Sequence, residues 1–260
     1  ITHAERREAR ERAWAETRAA LDRVVETASL SDATRDRLRA WIDDDLRELQ
    51  RRHTQDAARL VRDFEAAILA VSHLPGGERP NEVVALAVLA NQVFGQPHEL
   101  DADSPVASLF YRALSRLHPE TAGALDQGAE GRAALLAAAG IARDRTSPRV
   151  DVFGLQSDDP ALAWLVDHPI MTFSLRSLEA LGERRLHAAR DTAFVVENPS
   201  VFDQLVERLR HVDIDGRPTI VCTNGWLNLA DRHLLGRLVD GGARIRYSGD
   251  FDVSGLAIAA

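Results

Sequence analysis

The sequence predicts an α+β protein, with a helical N-terminal half followed by an α/β domain of Rossmann-like type built on a parallel sheet. Three observations predict it. Up to about residue 148 the apolar residues recur at steps of three and four, the period of helices. Period-two alternation first appears in RVDVFGL, beginning at Arg149. From Thr192 to Ala260, short apolar runs alternate with amphipathic stretches in the order βαβαβα, which calls for a parallel sheet joined by right-handed crossovers.

In chain order, a helix is expected from about Ala4 to Ala28. A second, capped by Ser31 or Asp32, should run from about Thr34 toward Ser72, with Leu38, Trp41, Ile42, Leu46 and Leu49 as its apolar stripe. Asp43, Asp44 and Asp45 are consecutive and so point in different directions around that helix; a solvated triplet is expected rather than a metal site. LPGGERPNE, Leu74 to Glu82, breaks the helical pattern and marks a joint. Residues 1–75 therefore read as a helical hairpin or arm. Residues 76–148 read as a second, mostly helical unit, with helices over Val83–Phe94, Val106–Leu117, Thr121–Leu125 and Gly131–Ala139; a winged-helix-like form stays open for it. Residues 149–260 read as the α/β domain. Its first strands are RVDVFGL and PIMTFSL, with a helix over Asp159–Val166 between them.

Composition narrows the function. No apolar run approaches the about 18 residues that cross a bilayer, and the charged first residues are unlike a signal peptide, so a cytoplasmic protein without a membrane partner is expected. The single cysteine, Cys222, sits in an apolar run and offers neither a disulfide nor a reactive thiol. A net charge of -8 argues against a positively coated nucleic-acid binder, so any DNA contact must be local. All 32 basic residues are arginine; this suits phosphate recognition by planar bidentate groups, but the codon bias of a GC-rich genome is the expected cause and no function is drawn from it. The chain begins at Ile1 and stops at Ala260 inside a helical pattern, so the α/β domain reads as truncated.

Ligands of parallel sheets gather at the C-terminal ends of the strands. Glu197 ends the first strand of the βαβαβα run, TAFVVE, while Asp250 and Asp252 follow the third, ARIRYSGD. If those strands are neighbours, in a sheet of order 2-1-3, the three carboxylates can share one or two hard cations, Mg²⁺ or Mn²⁺. Each has a bland alternative: an acid at a strand end is commonly a solvated loop residue, and Asp252, like Ser254, suits the cap of the following helix. Pro199 suits the first turn of the helix after Glu197. Thr223 and Asn224, at the end of the second strand, stand on the same edge; they either orient a phosphate or water, or form an ordinary Asn-Gly turn. Arg244 and Arg246 on the third strand, with Arg184, Arg185 and Arg190 before the first, are candidates for DNA-backbone contacts, a solvated face being the alternative. His168, His187, His211 and His233 occur singly and suit surface or core-edge positions.

VVENPSVF, Val195 to Phe202, and YSGDFDVSGLAIA, Tyr247 to Ala259, resemble the Glu and DxDxxG motifs of the Toprim domain of topoisomerases, primases and nucleases. Asn198 and Pro199 stand where Gly commonly follows the Glu. That variant, together with the stretch from Leu74 to Leu114, is similar to a bacterial family with a C-terminal Toprim-like domain related to the topoisomerase VI A subunit. The resemblance implies the nuclease subunit of Wadjet-type plasmid-defence systems, acting on double-stranded circular DNA with an SMC-type ATPase complex, as a homodimer. Carried onto this chain, it makes Glu197, Asp250 and Asp252 the metal-binding and catalytic residues. Glu197 is open to a second role as general acid or base. A topoisomerase would need a nucleophilic tyrosine. Tyr111 lies among apolar residues on a helix and Tyr247 within a strand, so attack by water is expected instead. A noncatalytic, degenerate Toprim assembly module and topoisomerase-like covalent cleavage stand as alternatives, and no primase elements are found.

Overall fold

The computed structural model describes residues 2–75, 83–121, 123–213 and 216–249. It is α+β, with helices in its first half and a mixed sheet in its second. Two compact units divide at Pro119/Glu120. The pattern breaks near residues 75 and 148 do not coincide with that division, because helices on both sides of the 76–82 segment share one core.

The first unit contains α1 (His3–Thr27), α2 (Asp32–Asp44), α3 (Leu46–Ser72), α4 (Leu86–Phe94) and α5 (Pro105–Leu117). Local chemistry sets their starts. Thr2 and Glu5 form a capping box, Ser31 caps α2 through the Thr34 N–H, and Ser104 caps α5 with Pro105 in its first turn. The single helix expected from Thr34 to Ser72 is broken at Asp45 (φ -96°, ψ 22°), and α3 is kinked again at Asp56 (φ -161°, ψ 102°). Four of the five stripe residues, Leu38, Trp41, Ile42 and Leu49, are inaccessible, while Leu46, the first residue of α3, is only half-buried; Trp41 stacks on Phe64 with centroids 5.1 Å apart.

The aspartate triplet is not simply solvated. Asp43 pairs with Arg18 of α1 at 2.8 Å and Asp44 with Arg116 of α5 at 3.0 Å. Asp45 accepts from the Trp41 indole N–H at 2.9 Å, from Arg112 at 3.0 Å and from Arg116 at 3.3 Å. Burial opposes ionisation of Asp45, but these donors together hold its carboxyl below the usual carboxylate range. The divergence of three consecutive side chains lets them reach two neighbouring helices.

The second unit opens with 3₁₀ turns and α6 (Gly128–Ala138), where short helices over Thr121–Leu125 and Gly131–Ala139 were expected. Between Asp159 and Val166 the segment is likewise 3₁₀, Pro160–Leu165. The sheet is built from β1 (Arg149–Phe153), β2 (Ile170–Ser174), β3 (Thr192–Val196), β4 (Thr219–Cys222) and β5 (Arg244–Ser248), in the order β2-β1-β4-β3-β5. Helices α7 (Leu175–Ala180), α8 (Pro199–Leu209) and α9 (Leu229–Asp240) complete it. The parallel unit expected from Thr192 onward is found, within a sheet that as a whole is mixed. β4, β3 and β5 are mutually parallel in the order 2-1-3, whereas β1 runs antiparallel to both β4 and β2. Phe202 and Val206 of α8 pack on Phe153, Val196, Ile220 and Cys222. Residues in the opposite phase, Val152, Val195 and Val221, are buried too, and α9 packs against β1 and β5. Both faces at the centre of the sheet are therefore covered, leaving the strand ends for chemistry.

Candidate functional site

Glu197 is the residue at which β3 gives way to α8. Asn198 caps that helix by accepting from the Ser200 N–H at 2.8 Å, and Pro199 occupies its first turn, where a missing N–H costs nothing. The carboxylate therefore projects from a position fixed on both sides. Its backbone ties three strand ends together: the Glu197 N–H donates to Ser248 O after β5, and Glu197 O accepts from the Gly225 N–H after β4, both at 3.3 Å. One residue back, Val196 O accepts from the Thr223 N–H at 3.1 Å.

The side chain of Glu197 is met from the neighbouring strand. Tyr247 lies opposite Val195 in the parallel β3/β5 register, so both leave the same face, and its hydroxyl donates to Glu197 Oε2 at 2.9 Å. Gly249 lies against this pair. A Cβ at Gly249 would come within 2.1 Å of the Tyr247 hydroxyl oxygen and 2.7 Å of Glu197 Oε2. The sequence weighs Tyr247 only as a nucleophile and gives Gly249 no role of its own; the signal for both is the phase that Tyr247 shares with Val195.

The second strand end is a turn. Asn224 (φ 54°) and Gly225 (φ 100°) adopt left-handed conformations, which an Asn-Gly pair accepts readily. Thr223 is buried and its hydroxyl donates to Gly225 O at 3.1 Å, within the turn, while Asn224 is exposed. Beside the turn opens a cleft of about 730 Å³, walled by Arg143, Arg149, Thr223, Asn224 and Trp226, among others; Glu197 is not in its wall. Next to it, Asn228 and Asp231 cap α9 reciprocally, and burial pushes the Asp231 carboxyl well above the usual carboxylate range. Burial likewise raises the Cys222 thiol, which is in keeping with an inert core residue.

The arginines singled out in the sequence do not converge on Glu197. Arg244 and Arg246 are exposed on β5, but strand alternation turns them to the face opposite Tyr247. Arg190 (φ 54°) lies in the turn that enters β3, the length of the strand from Glu197, about 16 Å at roughly 3.3 Å per residue. Asp250, Asp252 and Ser254 lie outside the described residues. Among the described residues no three His, Cys, Asp or Glu side chains gather as a metal site. Glu197 is the one described member of the predicted set, and a carboxylate is a ligand type suited to Mg²⁺ or Mn²⁺. Among the described residues, no helix is long and apolar enough to cross a membrane.

Residues 1–157 match the family described as "Protein of unknown function N-terminus (DUF3323)", and residues 171–260 match "Protein of unknown function C-terminus (DUF2399)". No curated protein and no solved structure matches the chain.

Proposed function

This chain belongs to the DUF3323 family, and from that premise we propose that it is a metal-dependent DNA endonuclease subunit that cleaves circular plasmid DNA by attack of water on a phosphodiester. One observation carries the reading: β3 and β5 are parallel neighbours in a 2-1-3 order, and β3 ends directly at Glu197. In sheets of this order the crevice between those two strand ends is where ligands bind. In sequence, Asp250 and Asp252 follow Gly249, and the proposal assigns them to the same centre as Glu197. The likeness of VVENPSVF and YSGDFDVSGLAIA to Toprim motifs supports the same reading.

Glu197, Asp250 and Asp252 would hold the divalent cations, which when bound favour ionisation of water and stabilise the leaving 3′ oxygen. Glu197 itself either ligates or handles the proton of the attacking water. Tyr111 is buried in α5 and the Tyr247 hydroxyl is engaged by Glu197, which favours water over a tyrosine as nucleophile. The proposed partners are double-stranded DNA, a second copy of this chain and an SMC-type ATPase complex, in the cytoplasm.

The test is plasmid cleavage by the protein with its partner complex, comparing wild type with Glu197→Ala and Asp250→Ala. Loss of cutting in both variants is expected, and cutting at the wild-type rate by both would overturn the proposal. A noncatalytic Toprim assembly module is the second reading, favoured by the net charge of -8 and by arginines that face away from Glu197. Calorimetry with Mn²⁺ separates the two, since the nuclease reading requires binding that disappears in Asp250→Ala.

A further inference from the structure

We propose that Tyr247 is the positioning residue of Glu197, holding its carboxylate in the working orientation at the β3/β5 crevice; this rests on the nuclease reading above. Two backbone hydrogen bonds hold Glu197 independently of its side chain. Its N–H is bonded to Ser248 O and its carbonyl accepts from the Gly225 N–H, so the backbone is anchored to both neighbouring strand ends. The side chain still has three torsions to fix, and backbone anchoring does not fix them. The Tyr247 hydroxyl does so by donating to Glu197 Oε2 at 2.9 Å.

That donor is itself rigid. Tyr247 sits on a strand paired along its length with β3, and its ring moves about only two torsions. Gly249 leaves the space in which hydroxyl and carboxylate meet, since a Cβ there would come within 2.1 Å of one and 2.7 Å of the other. The pair is therefore written into three positions at two neighbouring strand ends: a long donor at 247, a residue without a side chain at 249, and an acid across the ladder at 197. A hydrogen bond from a neutral hydroxyl orients a carboxylate without neutralising it, so the charge needed for a cation or for proton transfer is preserved.

Removing a group that orients a functional ligand typically costs about 10–100-fold in affinity or activity. Tyr247→Phe keeps the ring and removes only the donor. With the full chain and its partner complex, Tyr247→Phe is expected to cut plasmid about 10–100-fold more slowly, with an unchanged KM for DNA and an unchanged melting temperature, whereas Tyr111→Phe cuts normally. The chain holds only two tyrosines, so the ¹⁹F spectrum of protein labelled with 3-fluorotyrosine contains two resonances, assigned by Tyr111→Phe. Glu197→Ala is expected to shift the Tyr247 resonance and leave that of Tyr111 in place, a readout independent of cleavage.

Wild-type cutting by Tyr247→Phe beside an inactive Glu197→Ala would overturn the inference and leave the nuclease reading intact. Wild-type cutting by Glu197→Ala would overturn both. A Tyr247 resonance unmoved by Glu197→Ala would also overturn it. A protein–DNA adduct trapped by denaturant in wild type and absent in Tyr247→Phe would overturn positioning in favour of direct attack by the tyrosine.

Discussion

Thr219→Val should cost the second unit more stability than its size suggests. Thr219 is fully buried at the start of β4; its hydroxyl donates to Gly154 O at 2.7 Å and accepts from the Ala189 N–H at 2.9 Å. One oxygen thus joins the loop after β1, the entrance to β4 and the turn that leads into β3. Valine fills nearly the same volume, so no cavity opens, but a buried carbonyl and a buried N–H each lose this partner. An unsatisfied buried group costs about 1–3 kcal/mol, which puts the pair at about 2–6 kcal/mol. Thr219→Ser keeps both bonds and removes one methyl, a loss of about 1 kcal/mol. Urea unfolding followed by circular dichroism reads the difference; at about 2 kcal/mol per molar urea, the valine midpoint should fall by roughly 1–3 M. If Thr219→Val loses no more than Thr219→Ser, the hydroxyl is not the clamp described and the reasoning fails.

Glu48 is held at about 2, chiefly by hydrogen bonds from Arg51 and, against the opposing effect of burial, from Arg52. A depressed folded value means that its contribution is complete above the ordinary 4.5 and is lost as pH falls toward 2. Thermal melts of Glu48→Gln should therefore lie below wild type at pH 6 and converge on it near pH 2; a constant gap would refute this. Asp231 has the opposite sign. Burial raises its carboxyl, so stability is complete in acid and lost as pH rises through the folded value. Asp231→Asn should match wild type in acid and gain on it with rising pH, as read by urea midpoints across a pH series; a gap independent of pH would count against the assignment. For DNA, Arg244→Ala and Arg246→Ala should each reduce the slope of log affinity against log salt by about 0.9 if that residue contacts a phosphate. An unchanged slope would mean that these exposed side chains form a solvated face.

Much of the fold is legible because it rests on periodicity. Of the stripe Leu38, Trp41, Ile42, Leu46 and Leu49 read at helical spacing, all but Leu46, which stands just after the break at Asp45, are fully buried. The 2-1-3 order of β4, β3 and β5 is the arrangement that the acid-sharing argument required, and it is the one found. Strand direction is a different matter. RVDVF and IMTFS alternate identically whichever way they run, and only the partner's ladder decides, which is why one strand, RVDVF, runs against the other four and makes the sheet mixed. The break at Asp45 was hidden for a related reason. The apolar period continues through it, and what ends the helix is tertiary: Arg112 and Arg116, about 70 residues away in sequence, meet the carboxyl of Asp45.

The candidate site divides along the same line. Glu197 is visible from its place at a strand end, and Pro199 from its place in a helix's first turn, because each obeys a local rule. Tyr247 obeys no local rule at all. Within its own strand it is one aromatic among alternating residues, and Arg244 and Arg246 beside it attract more notice as charges. Its role appears only when β5 is laid beside β3 in register, Val195 opposite Tyr247, so that a long side chain reaches the acid two residues further along the neighbouring strand. The same register turns Arg244 and Arg246 to the opposite face, away from Tyr247. A donor for the acid and the displacement of two basic candidates thus follow from a single alignment of strands, the β3/β5 ladder.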